Sequence, residues 1–439
     1  MNLSVYDKKT VSAWAMYDWA NSAYSLVITS TLYPIYFTAI TGGGDKPVHL
    51  LGMDFNSDAL QTYSISAAFL LIAFINPLLS SISDYSGKKK PFMYFFCLMG
   101  SIGCSSLYFF DSEEHVWIGV AGSMLAAIGY AGSIVFYNAF LPEIAPPELQ
   151  DKVSAKGFSL GYLGSSLLLI FCLTMVLFPG WYGGIEKGSA IRLAFLLVGI
   201  WWFGFAQITF KRLNDRHTSL DARGRFLCNG YKELRKVWFE LRHTPALKRF
   251  LLAFFLYNLA VQTVMYVATL FGDSVLHLDS SVLIATILII QFVAIGGASL
   301  FSRLSSKYGN IKALSLNLVA WIFVCAGAYF CDSKYGVDVQ LFFILLGAGV
   351  GMVMGGIQSL SRSTYSKLLP ITKDHASYFS FFDVCDKFGT VVGTFIFGYI
   401  IELTGDMRNS IVIIGGFFIL GLISLLRVGR NIQLQATRP

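Results

Sequence analysis

The chain has 439 residues, of which 55% are hydrophobic and only 13% charged, and it carries a formal net charge of +7. Ordinary soluble proteins are about 25% charged, so this composition argues against a soluble globular class. A helix needs roughly 20 apolar residues to cross about 30 Å of hydrocarbon, and twelve stretches reach that length.

The predicted spans run, in chain order, over 11–41, 58–83, 90–110, 115–141, 152–179, 190–210, 246–274, 279–305, 311–331, 337–365, 374–404 and 407–428. On the first, Trp14, Asp18, Asn21, Ser22 and Ser25 recur at steps of three and four, so they share one polar face. The segment is too long and lacks the small-residue cleavage site of a signal peptide, and it is expected to remain as a helix. The loop after the second span carries Asp84, Gly87, Lys88 and Lys89, and the fourth span offers Tyr130, Ser133 and Tyr137. Lys156 falls inside the fifth. The seventh shows Asn258, Gln262 and Tyr266, the tenth Gln358, Arg362 and Tyr365, and the eleventh Asp383, Asp386 and Lys387. Charges at mid-bilayer cost roughly 2.5–3.5 kcal/mol on insertion scales, so each requires a partner or a wet cavity.

The second six spans echo the first. Ser80–Lys90 aligns without gaps on Ser302–Lys312 at an offset of 222 residues. The expected architecture is an all-α membrane protein of twelve transmembrane helices in two pseudo-symmetric six-helix halves, 1–210 and 246–439. The stretch 211–245 joins them. Residues 211–249 hold eleven Lys or Arg and four acids, 11 − 4 = +7, the whole net charge. Phe226, Leu227, Leu234, Val237, Trp238 and Leu241 recur there at helical spacing among the basic residues, which predicts an amphipathic helix drawn to anionic lipid. Basic loops are expected from topology alone, so a nucleic-acid partner is not expected. Of 33 Lys and Arg, 26 lie in alternate loops, at the termini or at the span ends that adjoin them, which predicts that both termini are cytoplasmic.

The seven cysteines and six histidines show no metal-ligand spacing, and no phosphate-binding glycine loop of the nucleotide-driven pumps is present, so no cofactor is expected. Repeated halves of six spans point to a carrier that exposes a central site to each side in turn. A polytopic enzyme would need a catalytic cluster, and none is visible. The alternatives left open are a facilitative uniporter or a channel for a sugar derivative, a peptide or a lipid-like solute.

The loop from Ser80 to Lys90 resembles the signature between the second and third helices of the major facilitator superfamily, with Ser80 in place of a glycine. Tyr17–Tyr24, Tyr137–Ile144, Ser154–Phe158 with Gly161–Gly164, and Gly355–Ser363 are similar to motifs of its vacuole-effluxer-like (autophagy-related amino-acid effluxer) family. The resemblance implies the major facilitator fold, with spans 1, 4, 7 and 10 around a cavity. It also implies a secondary active transporter of an amino acid or related metabolite, with export as the direction and protons as the candidate coupling ion. The polar residues of those four spans become the candidate substrate or coupling-ion site. Asp84, Gly87, Lys88, Lys89, Lys156, Asp383 and Lys387 become candidate gating residues. A monomer in a bacterial inner membrane is expected. The seventh span departs from the family: Leu259 and Ala260 stand where an Asp-Gly pair is expected.

Overall fold

The computed structural model describes residues 6–43, 47–50, 52–215, 226–332, 338–404 and 406–436. Twelve helices within these are long and apolar enough to span a membrane: Lys8–Thr41, Ala59–Ser86, Lys90–Phe109, Glu113–Ile144, Pro147–Leu177, Lys187–Arg212, Pro245–Ser274, Ser280–Tyr308, Asn310–Tyr329, Val339–Leu368, His375–Thr404 and Met407–Gly429. Each contains a predicted span or lies within a few residues of one. In a bilayer every backbone N–H and C=O must be satisfied inside the segment, and continuous helices do that. The large apolar side chains left exposed, such as Phe74, Phe323 and Phe395, are what a lipid-facing surface requires.

Two local features were not expected. Between the first and second spans, β1 (Pro47–Leu50) pairs antiparallel with β2 (Met53–Asn56), Val48 opposite Phe55, and Gly52 takes a positive φ at the turn. Within the first span the helix widens over Tyr24–Leu32 to i→i−5 hydrogen bonding, and the Tyr33 N–H reaches the Ile28 carbonyl. Pro34 follows directly. A proline ring collides with the carbonyl four residues back, and the wider turn relieves the collision.

Backbone contacts divide the chain into two compact units. One comprises Asp7–Phe140 and Leu160–Tyr231; the other comprises Leu141–Ser159 and Lys232–Pro439, with Met1–Tyr6. In the first unit, span 1 packs on span 6, 3 on 6, 2 on 4 and 3 on 4. In the second, 7 packs on 12, 9 on 12, 8 on 10 and 9 on 10. The two sets correspond one to one, so the sequence repeat is also a packing repeat.

Residues 141–159 precede the expected boundary at 210 yet group with the later spans. The reason is polar. Asp151, buried at 2% exposure, accepts from Ser305 Oγ at 2.7 Å, Asn310 Nδ2 at 2.7 Å and Lys367 Nζ at 2.6 Å. Arg362 donates through Nε to Ser154 Oγ at 2.9 Å and through Nη2 to the Ser154 carbonyl at 2.8 Å.

The amphipathic helix expected in 211–245 is Phe226–His243; residues 216–225 lie outside the described ones. Val237 and Leu241 of its apolar face are buried. Lys236 pairs with Asp374 at 3.1 Å, and the Tyr378 hydroxyl donates to Glu240 at 2.9 Å. Trp238 and Phe239 remain exposed beside Arg235 and Arg242.

Candidate functional site

In the first unit the polar face of span 1 centres on Asp18, which is 4% exposed. The Tyr137 hydroxyl of span 4 donates to its Oδ2 at 2.7 Å. Tyr137 is itself fixed by Trp14, whose indole N–H donates to the Tyr137 carbonyl at 2.9 Å and whose ring stacks on the phenol at 4.4 Å. Three of the expected residues therefore act as one assembly. Asn21 is buried one turn on, and its Nδ2 finds no hydrogen-bond partner among the described residues. Such an orphaned donor calls for a ligand or water. Ser22 packs against Gly161, where an added Cβ would lie 2.5 Å from Ser22 Oγ and 3.2 Å from the Asp18 carbonyl. That close crossing is the physical content of the glycines at 161 and 164. Ser25 is half-buried, Tyr130 lies against Tyr24 at 5.3 Å, and Ser133 turns its hydroxyl back to the Tyr130 carbonyl.

The loop after span 2 is a helix terminus built in full. Gly87 has φ of 67°, its N–H reaches the Asp84 carbonyl, and the Lys88 N–H reaches the Ser83 carbonyl at 3.1 Å. This pair of bonds satisfies the last carbonyls, and it needs a left-handed residue at position 87. The Asp84 side chain is fully buried, 3.9 Å from Lys89 Nζ, whereas Lys88 is exposed. Asp215, which sequence reasoning passed over, caps the start of span 3 by accepting from the backbone N–H groups of Lys89 and Lys90 at 2.8 and 2.9 Å.

In the second unit the expected pair Asp383 and Lys387 meets at 3.6 Å, but Lys387 lies closer to Asp386, at 2.6 Å. Asp386 also accepts from Asn258 Nδ2 at 2.8 Å and from Gln262 Nε2 at 2.9 Å. The acid missing from span 7 is thus presented to span 7 from span 11. Sequence reasoning gave Asp386 little weight. The signal was there in two amides four residues apart on one helix face with no acceptor of their own.

Span 10 differs from the expectation of a polar cavity stripe. Arg362 is buried at 3% exposure, its guanidinium lies over the Phe158 ring at 4.1 Å, and both of its bonds to Ser154 are made. Tyr365 is buried in an aromatic stack with Phe382 at 4.8 Å, and its hydroxyl donates to the Tyr378 carbonyl at 2.6 Å. A guanidinium and a phenol so placed hold helices together. Gln358 is half-buried and Lys156 exposed. Among the described residues, no group of three His, Cys, Asp or Glu is placed to hold a metal ion.

The sequence model of the family described as "Vacuole effluxer Atg22 like" matches residues 6–150 and 146–435. An uncharacterized MFS-type transporter, YxiO of Bacillus subtilis (strain 168), is 31% identical over 420 residues, spanning 95% of this chain and 94% of that one. Autophagy-related protein 22 of Saccharomyces cerevisiae (strain YJM789) is 25% identical over 492 residues, spanning 95% and 90%. Among solved structures, the human organic anion transporter MFSD10 superposes with a TM-score of 0.70 at 14% identity over 95% of this chain and 99% of its own. The proton:xylose symporter XylE does so with a TM-score of 0.71 at 12% identity over 97% and 96%. These likenesses establish the major facilitator fold, a multi-pass membrane protein and the transporter class. The chain belongs to the vacuole effluxer Atg22-like family of major facilitator transporters.

Proposed function

We propose that this secondary transporter moves an amino acid or a related small metabolite in exchange for, or together with, protons, and that Asp18 carries the coupling proton. The observation behind this reading is the buried Asp18–Tyr137–Trp14 assembly, in which an acid inside a span accepts from the Tyr137 hydroxyl at 2.7 Å. An intramembrane carboxylate is costly and is ordinarily retained for function. A fold shared with a protein described as a proton:xylose symporter is in keeping with proton coupling. The solute binds to the polar residues of spans 1, 4 and 7, and Asp84, Lys89, Asp383 and Lys387 serve the gate. The two halves, 1–210 and 246–439, alternate access around them. Both termini face the cytoplasm of a bacterial inner membrane, the protein works as a monomer, and the basic linker rests on anionic lipid. A secondary carrier is reversible: in exchange for protons the inward proton gradient drives export, and together with protons export follows when the outward solute gradient outweighs it.

The test is reconstitution into liposomes with a labelled amino-acid mixture and an imposed pH gradient. Wild type should concentrate at least one component. Asp18→Asn should lose concentrative transport while keeping exchange, because exchange does not cycle the empty carrier. Full proton-driven accumulation by a well-folded Asp18→Asn protein would refute the coupling role.

A further inference from the structure

The carboxylate of Asp386 is surrounded by donors. Oδ1 takes the amide N–H groups of Asn258 and Gln262, at 2.8 and 2.9 Å, and Oδ2 takes the Lys387 ammonium at 2.6 Å. Asn258 and Gln262 stand four residues apart on span 7 and so present their amides along one strip. Other ionisable groups nearby are few. On the same helix they are Asp383, 3.6 Å from Lys387 Nζ, and Cys385. On span 7, Tyr266 lies in the field of Asp386 and Lys387. Span 12, packed on span 11, carries Arg408 and Arg427 towards its two ends. On span 10, Arg362 is engaged with Ser154 and Lys367 with Asp151.

Two amide N–H groups and an ammonium are the donor set that recognises a carboxylate. In this state the protein's own carboxylate fills that set. Adding a proton to Asp386 converts the anion to a carboxylic acid, which has one O–H to donate and a weaker hold on three donors. Lys387 already has Asp383 within reach, so its ammonium has an alternative partner. The two amides then face a place from which a negative charge has gone, and an arriving carboxylate restores it. The site gains one proton and one carboxylate together, and its net charge returns to the starting value.

We propose that Asp386, Asn258, Gln262 and Lys387 form a joint proton-and-carboxylate site, in which protonation of Asp386 releases its donors to the carboxylate group of the transported solute. The inference rests on the reading of the chain as a proton-coupled carrier, and it adds that the solute bears a carboxylate that binds at span 7 together with the proton. It adds, at Asp386, a proton bound together with the solute's carboxylate, beside the coupling proton proposed for Asp18.

Proton uptake by the purified full-length protein, followed with a pH-indicator dye in weakly buffered detergent solution, tests the site without transport. Acetate is the probe, added at the pH of the sample, with chloride at equal ionic strength as the reference. Wild type should take up protons on acetate addition and not on chloride addition. Asp386→Asn should take up none. Gln262→Leu, which leaves Asp386 in place, should lower the acetate-linked uptake several-fold, and it serves where Asp386→Asn fails to fold. Equal responses to acetate and chloride in wild type, or undiminished acetate-linked uptake in either variant, would overturn the proposal. Acetate-linked uptake in a protein whose amino-acid flux ignores the pH gradient would instead count against the transport reading and leave the site standing.

Discussion

Tyr137 is the residue on which the span 1 assembly turns, because it joins three groups at once: its hydroxyl serves Asp18, its carbonyl accepts from Trp14, and its ring stacks on the indole. Tyr137→Phe keeps the stack and removes only the hydroxyl. A hydrogen bond to a charged buried group contributes about 1.5–3 kcal/mol, so the variant should fold and melt lower, with transport shifted in its pH dependence. An unchanged melting temperature and an unchanged pH profile would show that the bond is not needed. Outside the membrane segments, Asp7 caps span 1. The Thr10 hydroxyl, followed by the Lys9 and Thr10 backbone N–H groups, holds its carboxyl below the usual range. A depressed carboxylate stabilises above its unfolded value and loses that contribution as pH falls through the folded one. Asp7→Ala should therefore be less stable than wild type at neutral pH, with the gap closing on acidification. A gap that stays constant down to strongly acid pH would exclude this account.

Two loops of the repeat show how one element is built in two ways. In the first copy the acid is internal: Asp84 lies beside Lys89, and Gly87 closes the helix. In the second copy the position of Asp84 is taken by Ser306, while Gly309 keeps its positive φ. The acid there comes from the start of span 5, as Asp151, bound by Ser305, Asn310 and Lys367. Breaking a buried pair costs about 3–5 kcal/mol, and partial exposure of Lys367 brings the expected loss for Asp151→Asn to about 2–3 kcal/mol. Adding Lys367→Met should recover most of it, since an ammonium without its acid is the larger penalty. Full stability of the single variant in thermal melts would remove Asp151 from any fastening role.

At the scale of the whole molecule, the distribution of positive charge is the ground for the proposed orientation. If both termini and the linker face the cytoplasm as proposed, a cysteine placed at Lys232 in a Cys228→Ser background should react only with membrane-permeant reagents in intact cells. One placed at Glu113, at the start of span 4, should react with impermeant reagents. The reverse pattern would invert the topology. The remaining described cysteines are buried apart from Cys385, which is partly so, and they should add little background.

The twelve spans, the repeat and the helical linker were all legible in the sequence, because each is set by local composition and spacing: apolar length, an ungapped motif at fixed offset, and a 3.6-residue pattern among basic residues. The stripe of Trp14, Asp18 and Asn21 was legible for the same reason, since residues three and four apart must share a helix face. Partners across helices were not. Nothing local to span 7 says that Asn258 and Gln262 take their acceptor from Asp386, because that choice depends on how two distant helices are rotated against each other. Arg362 reads from sequence as an open cation, yet packing turns it onto Ser154 and Phe158. A membrane-embedded chain must satisfy each polar group inside the protein, and only the tertiary structure decides which group satisfies which.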